Sequence, residues 1–193
     1  SAGINIAESK IQKFSSNYHT YLTKRFDRTS GGERIHYASA MTMLGYNDGN
    51  NYNEGASYLE IADFLTNNGA NIDNDLEELW RRMVFNIFVS NTDDHLRNHG
   101  FILTEKGWIL SPAFDINPNE FGTGLSLNIS LDDNSLNLDV PLEVAGFFRL
   151  NKERGLKIID QVKRSVSRWR NVAHMYQIPK AEQELMSNVF NKF

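Results

Sequence analysis

The chain has 193 residues, 40% of them hydrophobic and 23% charged, with a net charge of -4 and no cysteine. This balance suits one globular domain, or one large lobe with a piece of another, and excludes a disordered or fibrous chain. The missing cysteines exclude disulfide frameworks, thiolate zinc sites and cysteine nucleophiles and fit a cytoplasmic location, while mild acidity and short apolar runs point to neither nucleic acid nor a membrane as direct partner.

In chain order, the start Ser1-Ala2-Gly3-Ile4-Asn5-Ile6 has neither an initiator Met nor a basic signal-peptide opening, and reads as a cut point inside a longer protein. Two β-like runs, 10–14 and 19–26, flank the polar Ser15-Ser16-Asn17 and predict a hairpin. A Gly31-Gly32 turn precedes a helical stretch expected from Glu33 to Leu44 and stopped by Gly45. Residues 47–55, rich in Asn, Asp and Gly, predict a surface loop.

Ser57-Tyr58-Leu59-Glu60 has the Ser-x-x-Glu form of a capping box and opens the next helix. Leu76, Leu79, Trp80, Met83, Val84, Ile87 and Phe88 then recur at steps of three and four, which predicts a helix buried on one side and ending at Ser90. Phe101-Ile102-Leu103 and Trp108-Ile109-Leu110, split by Glu105-Lys106-Gly107, predict a second hairpin. Weak strand character follows at 125–131. One long helix is expected over 152–176, with Ile159, Val162, Val166, Trp169 and Ala173 as its buried face, and another after Pro179. The expected class is a mostly helical α+β unit without internal repeats.

Chemistry concentrates in Asn91-Thr92-Asp93-Asp94-His95-Leu96-Arg97-Asn98-His99-Gly100, between the buried helix and a strand, where a loop pinned at both ends can carry a rigid site. The second hairpin returns the chain so that Asp115, in Ser111-Pro112-Ala113-Phe114-Asp115, can lie beside this loop. An Asn and an Asp meeting there offer hard oxygens suited to magnesium, and a carboxylate five residues before Asn98 can orient a hydroxyl nucleophile. Asp-x4-Asn, hairpin, acid is the order of a protein-kinase-type phosphoryl-transfer site. Asn- and Asp-rich turns also arise for purely structural reasons, so the pair alone is a weak signal and the complete order carries the reading.

These two segments, the second extended to Ile116, resemble the C-terminal domain of HipA-like kinases, the toxins of bacterial toxin–antitoxin pairs. Tyr21-Leu22-Thr23-Lys24-Arg25-Phe26-Asp27-Arg28 and Gly32-Glu33-Arg34-Ile35-His36 are similar to the family's segment joining its two lobes. The resemblance implies a protein-kinase-like C-lobe over 31–193, with a remnant hairpin and hinge of the N-lobe over 1–30. It implies Asp93 as catalytic base, Asn98 and Asp115 as magnesium ligands, and a nucleotide site of Lys24, Arg25, Phe26, His95, Leu96, Arg97, Asn98, Phe114 and Asp115. Asp27 would sit near the ribose.

The implied activity is ATP- and magnesium-dependent phosphorylation of a protein Ser or Thr, on an aminoacyl-tRNA synthetase or translation factor, with a DNA-binding antitoxin as partner. The phosphate-covering loop and ATP-contacting lysine of the family are not in this sequence, so this piece is expected to fold but to transfer phosphate negligibly alone. Two other readings stand beside this one. One is a catalytically silent, kinase-shaped module that binds an antitoxin or another subunit; the other is a phosphotransferase acting on a small molecule.

The remaining signals have plainer readings. His95 and His99 lack the His-Glu-x-x-His pattern of a zinc pair, and His99 is read as a structural hydrogen-bonder. Trp80, Trp108 and Trp169 are read as packing residues, and Asp132-Asp133 as a solvated turn. Lys152, Arg154, Lys157, Lys163, Arg164, Arg168 and Arg170 are read as a solvated face, with a partner surface as the alternative.

Overall fold

The structure is a computed structural model describing residues 1–15 and 18–193. Strands β1 (Ser9–Lys13) and β2 (His19–Thr23) form the predicted antiparallel hairpin, with Ser9 opposite Thr23 and Lys13 opposite His19. Ser16 and Asn17 of its predicted turn lie outside the described residues. Every residue of both strands is exposed.

The helix expected over 33–44 forms only in its last turn or so and is preceded by a strand. Tyr37–Ser39 forms β3 and only Ala40–Leu44 is helical, as α1. Ser39 ends the strand and caps the helix, its hydroxyl accepting from Thr42 N, and Gly45 closes it in the left-handed conformation at φ 75°. The apolar pattern of this stretch was too short to separate the two periods; pairing with a distant strand decides it. β3 pairs with β4 (Gly100–Thr104), which pairs with β5 (Gly107–Leu110), so the predicted second hairpin gains a third strand.

Helix α2 (Tyr58–Asn68) starts on the predicted capping box: Ser57 Oγ accepts from Glu60 N, and the Glu60 carboxylate accepts from Ser57 N. Helix α3 (Ile72–Phe88) is the centre of the molecule, with Leu76, Leu79, Trp80, Met83, Val84 and Ile87 fully buried. Its polar side is buried as well. Arg82 pairs with Glu78 at 2.8 Å and donates to Ser111 O at 2.8 Å, while Arg81 donates to Ala2 O and Gln161. Trp80 donates its indole N–H to Pro141 O at 3.0 Å, a core role as expected.

No strand forms over 125–131, although Leu125, Leu127 and Ile129 are each fully buried. Leu125, Leu127 and Ile129 alternate toward the core, but the backbone bonds go to Asn134, Ala56 and Asp133 rather than into a ladder. Asp132-Asp133 forms the predicted turn, its second member accepting from Ser135 N. Two short helical pieces that the sequence did not announce follow: α4 (Asp139–Glu143) and a 3-10 turn, Ala145–Phe148.

The long helix expected over 152–176 breaks into α5 (Lys152–Val166) and α6 (Trp169–Met175). Ser167 Oγ bonds back to Arg164 O at the break, and Trp169 turns to stack on Phe190 at 4.9 Å. The segment after Pro179 likewise divides, into α7 (Lys180–Leu185) and α8 (Ser187–Phe190). The basic run is solvated and much of it is ion-paired, as Arg154–Glu77, Lys157–Glu153, Arg164–Asp160 and Arg170–Glu184.

Candidate active site

Loop 91–99 leaves the end of α3 through Ser90, a non-glycine residue at φ 49°. Its side chains then alternate in destination. Asp93 is exposed, Asp94 buried; Asn98 lies at the surface of the core and His99 is fully inside it. The buried members build a polar cluster beneath the loop. Asp94 Oδ2 accepts from Asn86 Nδ2 at 2.8 Å, from His99 Nε2 at 2.9 Å, and from the Tyr58 hydroxyl. Burial first, then the Asp94 charge, push the Tyr58 phenol well above its ordinary value, so it remains a donor. His99 is therefore a structural hydrogen-bonder, and among the described residues no cluster of three or more His, Cys, Asp or Glu side chains could hold a metal.

The exposed members face a cleft of about 270 Å³ lined by Asp93, His95, Leu96 and Arg97 on one side and by residues 47–51 on the other. Arg97 Nη2 contacts His95 Nε2 at 3.2 Å and its Nη1 is paired with Asp48. His95 Nδ1 is buried without a hydrogen-bond partner among the described residues. Asn98 Nδ2 donates to Asp93 O at 3.1 Å, which closes the loop and leaves Asn98 Oδ1 as an oxygen with no protein donor.

Asp115 follows β5 in the left-handed conformation, φ 56°, a region Asp tolerates because its short side chain bonds locally. Asn117 Nδ2 donates to Asp115 Oδ1 at 2.8 Å. The next residues are stitched to the loop: Asn117 N donates to Asn91 Oδ1 at 3.2 Å, Asn119 N to Ser90 O at 3.0 Å, and Asn119 Nδ2 to Thr92 Oγ1 at 2.8 Å. Gly122 continues this contact, since a Cβ there would stand 2.2 Å from the Thr92 side chain. Among the described residues, two of the four non-glycine residues with positive φ, Ser90 and Asp115, thus bracket one site, where such strain commonly collects.

Phe26 lies half-buried with its ring 5.7 Å from Phe114 and 5.7 Å from Tyr37, which brings the segment after β2 against the residue preceding Asp115. Lys24 and Arg25 turn elsewhere: Lys24 pairs with Glu8 at 3.7 Å and Arg25 with Asp27 at 2.5 Å. Their side chains do not reach the loop; Lys24 N instead donates to Glu8 O, continuing the hairpin. The Arg25 guanidinium, with Arg28 beside it, holds the Asp27 carboxyl down at about 2.

The donor chemistry fits magnesium. Asn98 Oδ1 and Asp115 Oδ2 are hard oxygens free of protein donors among the described residues, on segments tied to one another by three hydrogen bonds. Asn86, Asn91, Asp94, Asp48, Asn117 and Tyr58 were not singled out from the sequence. Asn86 sits alone in the apolar end of α3, while the other Asn and Asp residues lie in stretches already rich in both types, and only burial and bonding set them apart.

The model of the HipA-like C-terminal domain matches residues 1–169. No curated protein matches the chain by sequence. Among solved structures it is similar to a chain of the complex of the Shewanella oneidensis MR-1 toxin–antitoxin system HipA, HipB and its operator DNA, at a TM-score of 0.76 and 18% identity. That match covers 98% of this chain and 50% of the other, so this chain spans about half the length of the solved relative. On the family match, which takes in the hairpin, the loop and Asp115, the chain belongs to the HipA-like C-terminal domain family.

Proposed function

We propose that this chain is the catalytic, magnesium-binding half of an ATP-dependent protein serine/threonine kinase, the toxin of a HipA-like toxin–antitoxin pair. The observation that supports the reading is the stitching of Asn117 and Asn119 onto Ser90, Asn91 and Thr92, which ties the segment that follows Asp115 to the start of the loop that carries Asp93 and Asn98. In this reading 31–193 acts as the kinase-like C-lobe and 1–30 as hinge and N-lobe remnant. Phe26 and Phe114 flank the adenine side, and His95, Leu96, Arg97 and Asn98 line the phosphate side. Lys24 and Arg25 contribute main-chain groups.

The exposed Asp93 carboxylate orients the acceptor hydroxyl and takes its proton as that oxygen bonds to the γ-phosphorus and the bond to ADP breaks. Asn98 and Asp115 hold magnesium, which when bound offsets the charge of the phosphates. Arg97, now on Asp48, is within the cleft and can turn to a phosphate oxygen as a charged donor. His95 Nδ1, without a partner, is available to a ligand. The likeness to a HipA solved with HipB and operator DNA supports an antitoxin of HipB kind as partner. An aminoacyl-tRNA synthetase or translation factor as substrate, and the cytoplasm as location, follow the family expectation.

The test is incorporation of labelled γ-phosphate by the gene product that carries this chain, with and without Asp93→Asn. Loss of about 10²–10⁴-fold in the variant, with nucleotide binding kept, is the expected outcome. Equal labelling removes Asp93 from the mechanism. Nucleotide binding with no transfer in either protein favours the silent interaction module.

A further inference from the structure

A single line of side-chain hydrogen bonds runs from the buried carboxylate of Asp94 to the exposed carboxylate of Asp115. Asn86 Nδ2 donates to Asp94 Oδ2 at 2.8 Å, and Asn91 Nδ2 donates to Asn86 Oδ1 at 3.1 Å. Asn91 Oδ1 accepts from Asn117 N at 3.2 Å, and Asn117 Nδ2 donates to Asp115 Oδ1 at 2.8 Å. The inner three residues are 3% exposed or less, so this end of the line cannot shift without disturbing the core. The outer end is exposed, and there Asp115 sits on a left-handed backbone.

We infer that Asn91 and Asn117 are positioning residues that aim the Asp115 carboxylate at the metal beside Asn98. This deepens the reading of Asp115 as a magnesium ligand and rests on it. The physical logic is that of an outer-shell partner: a carboxylate that binds through one oxygen is fixed in rotation by a donor on the other. Asn117 supplies that donor to Oδ1 and leaves Oδ2 free. Its own place is set from below, because Asn91 is immobile in the core and takes the Asn117 backbone N–H. Asn91 must both donate through Nδ2, to Asn86, and accept through Oδ1, from Asn117 N, whereas Asn117 needs only a side-chain donor for Asp115.

The proposal separates from a merely structural role. Asn117 is exposed and its side chain bonds to Asp115 alone, its contact with Asn91 being made by the backbone N–H that an alanine keeps, so its truncation leaves the fold intact while freeing the Asp115 carboxylate to rotate. The probe is Mn2+ binding to the gene product that carries this chain, in the presence of a non-hydrolysable ATP analogue, read by electron paramagnetic resonance of free Mn2+. Asn117→Ala is expected to weaken Mn2+ binding about tenfold, with the thermal midpoint unchanged, and Asn117→Ser to recover part of the loss. Asp115→Ala sets the floor by removing the ligand itself. Wild-type Mn2+ affinity in Asn117→Ala, with Asp115→Ala strongly impaired, overturns the positioning role and leaves the metal site standing. Unimpaired Mn2+ binding in Asp115→Ala overturns the metal assignment and the inference with it. Asn91→Ala serves as a second variant: if it folds, it should show the Asn117→Ala defect.

Discussion

Asp94 Oδ2 and His99 Nε2 stand 2.9 Å apart, both residues buried, while the residues just before each of them, the exposed Asp93 and the nearly buried Asn98, are joined by a hydrogen bond on the outer side of the same loop. One loop therefore presents two faces. The inner pair anchors it to α2 through Tyr58 and to α3 through Asn86, and the outer pair is held in place as a consequence.

Removing the anchor should cost stability before it costs chemistry. Asp94→Ala strands the Tyr58 hydroxyl, the Asn86 amide and the His99 ring N–H in the core, and should destabilise the fold by about 3–5 kcal/mol. Asp94→Asn keeps an acceptor oxygen and should lose less. Urea unfolding measures both; a cost under about 1 kcal/mol for the alanine variant would remove the network from the list of things holding the loop.

Gly100, where the loop enters β4, has no room for a side chain. A Cβ there would lie 2.3 Å from the Tyr37 ring and hydroxyl on the paired strand β3. Gly100→Ala should therefore cost about 1–3 kcal/mol through displacement of that ring. The penalty should shrink in a Tyr37→Ala background, a coupling that a double-mutant cycle reads directly.

The Asp27 carboxyl, drawn down to about 2 by Arg25 and Arg28, gives the segment after β2 a defined response to acid. Its folded value lies below its unfolded value of 3.8, so the contribution is complete above that value and is lost as pH falls through about 2. Carboxyl carbon shifts in an acid titration should show Asp27 protonating well below the ordinary carboxylate range. Arg25→Ala should raise its midpoint; a midpoint near 3.8 in the wild-type protein contradicts the ion pair.

Phe26 and Phe114 meet at 5.7 Å with their rings tilted by 32°, where the segment after β2 reaches the residue preceding Asp115. Phe26→Ala should weaken binding of a fluorescent ATP analogue about tenfold, an aromatic contact being worth about 0.5–1.5 kcal/mol beyond its area. Phe26→Tyr should be near neutral. Equal affinity in the alanine variant places the adenine elsewhere.

What the sequence determined by itself is what short range and strong periodicity can specify. The 3- and 4-residue recurrence from Leu76 to Phe88 fixed α3, the Ser57–Glu60 box fixed the start of α2, and the Glu105–Gly107 turn fixed the β4–β5 hairpin. The motif order likewise marks Asp93, Asn98 and Asp115 as the candidate site. Tertiary structure alone decided that Tyr37–Ser39 is a strand, because its partner lies some sixty residues away in β4. It alone split 152–176, where Trp169 leaves the helix axis to meet Phe190. And it alone separated Asp94 from Asp93: adjacent, chemically identical side chains acquire opposite roles only when the core closes over one of them, since burial and hydrogen-bond partners are properties of the packed chain and not of the residue.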